Sequence, residues 1–126
     1  MDTVKIEVLH AEHREWLNKI DFYYDDLKIM RHRLEEVAAR NTNKSLMAQV
    51  EHYQNQFVIQ RNELDEMKHV INQSETSIAE NVAQNGTAVN RRSVADDQAM
   101  RERMSQFEKL FLQLRVELMS FLAKTF

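Results

Sequence analysis

Residues 6–37 read IEVLHAEHREWLNKIDFYYDDLKIMRHRLEEV. Within this stretch Ile6, Leu9, His13, Trp16, Ile20, Tyr23, Leu27, Met30, Leu34 and Val37 follow alternating steps of three and four, and nine of the ten are apolar or aromatic. A half-buried strand would alternate every second residue, whereas a helix gathers these positions onto one stripe. Sustained over more than four heptads, the stripe reads as a seam along which one long helix packs against others.

The same period recurs twice. Leu46, Val50, Tyr53, Phe57, Gln60, Leu64, Met67, Ile71, Ser74 and Ile78 form a second seam, interrupted by Gln60 and Ser74. Met100, Met104, Phe107, Phe111, Leu114, Leu118 and Phe121 form a third. Between the first two seams lies the polar cluster Asn41-Thr42-Asn43-Lys44-Ser45, where Thr42 or Asn43 can accept from the free N–H groups of a following helix. The second break holds the only glycine, Gly86, suited to the left-handed residue just past a helix end. Ser93 followed by Asp96 resembles an acidic capping pair, so a third helix is expected to start near residue 93. Residues 84–92 are expected to be the longest connection.

The predicted fold is therefore all-α: an antiparallel up-down-up three-helix bundle with coiled-coil-like heptad packing. It forms one domain over residues 1–126, with helices at about 4–40, 44–83 and 93–124. Folding the first hairpin about residues 41–42 sets His13 level with Val70, and folding the second about 86–87 sets Val70 level with Arg103. The three helices then line up flush, over about 50 Å.

Composition agrees. One Gly and no Pro in 126 residues stand against roughly eight and six at average usage, so the turn-rich sandwiches, barrels and doubly wound sheets are excluded. The absence of Cys removes disulfides, thiolate metal sites and cysteine nucleophiles. No apolar run approaches the ~18 residues of a membrane span, and the opening MDTVKIEVLHAEHREW lacks the basic-then-apolar pattern of a secretory leader. The expectation is a soluble, cytoplasmic protein. Seventeen Lys plus Arg against 20 Asp plus Glu, a net −3, leave no global field to draw nucleic acid or an anionic membrane.

Some apolar residues fall off the seams. On the third helix Leu112, Val116, Met119 and Ala123 make a second stripe, and Phe22 and Ile29 lie outside the seam of the first helix, one heptad apart. Val58 and Ile59 are off-seam on the second helix and are expected to extend the same surface. A broad core-facing stripe would explain such residues blandly, but Leu17, Tyr24, Leu110 and Leu122 already supply that width. The off-seam set is expected to be an interface, most simply for a two-fold homodimer.

The histidines raise a metal question, because bundle metalloproteins use inward Glu-x-x-His pairs. Two such pairs occur, Glu7/His10 and Glu66/His69, and His10 and His13 are also three apart. Glu66, His69, His32 and His52 take outer heptad positions and are read as surface. His13 sits in the seam with His10 beside it, and Glu7 on the same helix or Glu102 at a similar height on the third could approach them. A lone polar layer in a long seam more often sets register, as buried polar residues do in coiled coils. The seams carry no acid before Asp97, so a di-iron carboxylate site lacks its ligands. A metal or cofactor held by His10 and His13 is the alternative reading; the leading one assigns no cofactor.

Catalysis and nucleic-acid binding find less support. Ser45, Ser74, Ser93, Ser105 and Ser120 show no His and acid converging on them, and a single Gly cannot build a phosphate loop. Arg91, Arg92, Arg101 and Arg103 cluster, yet Asp96, Asp97 and Glu102 are interleaved with them, as in a salt-bridged helix start. The aromatic residues at seam positions are expected to be core, and Gln60 to hydrogen-bond Tyr23 or Gln113. The sequence thus predicts a non-enzymatic helical interaction or scaffold protein that self-associates.

Overall fold

The computed structural model describes residues 2–40, 43–85 and 91–125, with side chains from residue 6 onward except 82, 84, 85 and 91–93. All but one of the described residues belong to three helices: α1 (Asp2–Arg40), α2 (Lys44–Asn85) and α3 (Arg91–Thr125). They contain 39, 42 and 35 residues, each slightly longer than the capping signals predict. Without proline nothing strips a backbone donor from a helix interior, and the three seams supply a continuous apolar face for each.

Asn43 starts α2. Its Oδ1 accepts the Ser45 N–H at 2.8 Å, and its carbonyl accepts the Met47 N–H at 2.9 Å as the first bond of the helical ladder. The alternative cap, Thr42, and the expected left-handed Gly86 both lie outside the described residues. The expected start of α3 is corrected: its backbone is already helical at Arg91, so Ser93 is inside the helix and is not its cap.

Cross-helix contacts fix the topology. His10 meets Glu75 and Tyr24 meets Asp65, so numbers rise on α1 as they fall on α2. Glu12 meets Arg101 and Asp26 meets Arg115, so α1 and α3 run parallel. The antiparallel up-down-up bundle follows.

The seams form its interior. Every seam residue of α1 is buried or partly buried, and Ile20, Met30, Leu34 and Val37 are fully enclosed. Trp16, Leu64, Phe107 and Phe111 are buried in the same cluster, with Tyr23 stacked at its edge 5.2 Å from the Phe107 ring centroid and 4.7 Å from that of Phe111. Leu17 and Tyr24 widen the core as expected and Leu122 is buried, but Leu110 points outward at 44% exposure. Gln60 departs from expectation too. Its side chain is buried and its Oε1 has no hydrogen-bond partner among the described residues, because Tyr23 donates instead to Glu108 at 2.7 Å.

Candidate functional site

One end of the interior holds a buried polar cluster, where His13, at 1% exposure, lies between the three helices. Its ring Nδ1 faces Oε1 of Glu75 on α2 at short hydrogen-bond distance, and its Nε2 faces Oδ1 of Asp97 on α3 at 2.7 Å. The second carboxylate oxygen of Glu75 accepts from Nδ1 of His10 at 2.6 Å. The result is a chain, His10–Glu75–His13–Asp97, that joins one turn of each helix. Asp97 is as buried as His13, and its Oδ2 has no hydrogen-bond partner among the described residues. The Trp16 ring covers the imidazole of His13, with centroids 5.6 Å apart.

Chemistry follows from the placement. A neutral imidazole has one N–H and one lone pair, so it can satisfy only one of two flanking carboxylates. Both ring nitrogens of His13 face carboxylate oxygens, which favours the doubly protonated imidazolium. Burial by itself lowers the basicity of His13, but hydrogen bonds and charge from Asp97 and Glu75 outweigh it, and the net displacement is upward from 6.5. With both nitrogens engaged, the ring has none left to activate a serine.

The seam position of His13 predicts a buried polar layer, and His13 is bonded to one residue of each partner helix. Glu75 lies outside the α2 seam and carries no signal of its own in the sequence. Neither Glu7 nor Glu102, the two acids expected near His10 and His13, is in the cluster; both side chains are exposed. The donor atoms of the four residues are paired in a line rather than turned around a common point. Among the described residues no group of three or more His, Asp or Glu is arranged to hold a metal ion.

A row of ion pairs continues from this end along the groove between α1 and α3. Arg101 holds Glu12 through two bonds of 2.5 and 2.7 Å, Lys19 meets Glu108 at 3.3 Å, and Arg115 meets the buried Asp26 at 2.6 Å. Arg103 turns the other way, to Glu63 at 2.8 Å and Glu66 at 3.2 Å on α2. Arg101 and Arg103 are thus engaged with acids of α1 and α2 rather than with the interleaved Asp96, Asp97 and Glu102 of their own helix. His32, His52 and His69 are exposed, and His32 pairs with Glu36 one turn on at 3.1 Å.

The off-seam apolar residues divide. Phe22, Asp26, Ile29 and Arg33 follow steps of four, three and four along the edge of α1 that faces α3. Arg115 and Met119 answer them from α3, through Asp26 and through an Arg33 N–H that reaches the Met119 sulfur at 3.6 Å. Leu112 and Val116, each 61% exposed, and the exposed Ala123 lie just outside that line, with Phe22 at 59% and Ile29 at 51% on the opposite bank. Met119 is only partly exposed, because its side chain packs against the core. Val58 does not extend this surface; it lines a cleft between α1 and α2 with Leu27, Phe57 and Arg61. No helix among the described residues is long and apolar enough to cross a membrane. Comparison with protein-family models, with curated proteins and with solved structures yields no match for this chain.

Proposed function

We propose that this protein is a non-enzymatic, cytoplasmic helical interaction protein that self-associates through its α1–α3 face, most simply as a two-fold dimer. The observation that carries the reading is the exposure of Leu112 and Val116 beside Phe22 and Ile29 on both banks of one groove. Leaving a large apolar side chain in water forgoes roughly 1.5–3 kcal/mol of burial, and a patch of four is more than the core requires. A two-fold interface must be self-complementary.

Light scattering tests the reading on the wild type and on a Leu112→Glu, Val116→Glu double variant. Both positions are well exposed, so the charges leave the core intact, whereas a change at Met119 would not. The wild type should run above its monomer mass of 15.0 kDa at tens of micromolar and the variant at that mass, with equal helix content. A monomeric wild type would end the proposal. Equal association of both forms would show that another surface is used.

A further inference from the structure

We propose that the cleft between α1 and α2 is a binding site for a small amphipathic anion, a molecule with a compact apolar body and one carboxylate-like head. The cleft has a volume of about 680 Å³, within the range of roughly 300–1,000 Å³ that small-molecule sites occupy. Tyr24 closes one end, with its hydroxyl on Asp65 and the Lys68 ammonium 5.9 Å from its ring centre. Taken one helical turn at a time from the Tyr24–Asp65 pair, Lys28 stands opposite Arg61, Arg31 opposite Val58, and Glu35 opposite Gln54. These residues line the cleft, over a floor made by Leu27 and Phe57.

The charges here are arranged unlike those of the other two grooves. Between α1 and α3, Arg101, Lys19 and Arg115 each reach an acid on the facing helix, and between α2 and α3 Arg103 does the same. Among the described residues Lys28 and Arg61 form no ion pair, and Arg31 meets only Glu35 of its own helix, at 4.0 Å. Three cations from both banks therefore border the middle of the cleft, while Asp21 and Asp25 lie toward one end and Glu35 toward the other. A guanidinium offers a planar fork of donors that fits the oxygens of a carboxylate or sulfonate, and its weak hydration lets it do so beside apolar surface. Val58, 58% exposed, supplies that surface opposite Arg31, and the aliphatic arms of the three cations extend it. From Lys28 to Glu35 the cleft runs about 10 Å, the length of a two-ring aromatic body. A cationic ligand is repelled at the centre, and an uncharged one gains the floor without the charge-assisted bonds. The cleft and the α1–α3 face lie on different sides of α1, so the site stands apart from self-association.

The probe is anilinonaphthalene sulfonate, whose emission rises when its rings leave water, with phenylnaphthylamine as the same body lacking the sulfonate. At neutral pH and low salt the folded wild type should bind the sulfonate saturably, one per chain, and the uncharged amine at least about tenfold more weakly. Arg31→Gln with Arg61→Gln should weaken the sulfonate at least about tenfold and leave the amine unchanged. Val58→Trp, which fills the cleft from an exposed position, should abolish binding of both. The Leu112→Glu, Val116→Glu variant, altered only in the other apolar patch, should bind as wild type does.

No saturable sulfonate binding, or equal affinity for the two probes, would overturn the anion site. Sulfonate binding that survives Val58→Trp, or that vanishes in the Leu112→Glu, Val116→Glu variant, would place the probe on another surface and overturn the cleft. If Val58→Trp fails to fold, the two arginines decide: an unchanged sulfonate affinity in their double variant refutes the proposal.

Discussion

Phe111 is the clearest place to test the packing. Its ring is 3% exposed and lies 4.7 Å from the Tyr23 ring and 5.7 Å from that of Phe107, at the level where α1 and α3 meet. Phe111→Ala removes both aromatic contacts and leaves a cavity that three long, straight helices cannot close by local movement. Truncations of this kind cost about 3–5 kcal/mol, of which the ring contacts contribute about 0.5–1.5 kcal/mol each. For a chain of this length the entropy of unfolding is about 0.26 kcal/mol/K, so the melting temperature should fall by roughly 12–20 °C. Circular dichroism during heating and during urea unfolding gives both quantities. Phe111→Leu, which keeps most of the volume, should cost clearly less. A loss below about 1 kcal/mol for the alanine variant, under conditions where wild type unfolds in two states, would show that this layer is not packed as described.

The three tyrosines should ionise late. Burial, then hydrogen bonding to Glu108, raises Tyr23; burial, then hydrogen bonding to Asp65, pushes Tyr24 up to about 12; burial, then the charge of Glu117, raises Tyr53. Raised phenols hold the folded state neutral above the ordinary value of 10.0, so stability is lost as the pH climbs past it. An ultraviolet titration should therefore show tyrosinate appearing together with loss of helix, and three ordinary titrations in an intact bundle would contradict the burial. Arg101→Ala should cost less than about 1 kcal/mol despite its two short bonds, because the guanidinium is 45% exposed. That cost should shrink further in about 1 M salt, as thermal melts at low and high ionic strength would reveal.

The sequence was sufficient for the architecture because the architecture rests on a periodic signal. Steps of three and four from Ile6 to Val37, repeated from Leu46 and from Met100, leave one buried face per helix, and a hydrophobic face must be covered whatever its exact neighbours are. The same arithmetic located His13 inside and His32, His52, His69 and Glu66 outside. Asn43 was readable as a cap because capping is a matter of a few adjacent residues.

What the sequence could not determine was which polar group meets which. Backbone arithmetic set His13 level with Val70 and Arg103, yet its partners are Glu75 and Asp97, five and six residues away. At 1.5 Å per residue that is roughly 7–9 Å along the axis, about the combined reach of two side chains. In an antiparallel pair each side chain leans toward the start of its own helix, so His13 and Glu75 lean toward one another and meet between the levels of their backbones; Tyr24 and Asp65 do the same. A seam specifies only that a residue is inside. The reach and tilt of two side chains from different helices specify its partner, and those exist only once the three helices are assembled. Leu110 and Met119 show the same from the apolar side: heptad position assigns Leu110 to the widened core and Met119 to the outer stripe, and the assembled bundle exposes the first and covers part of the second.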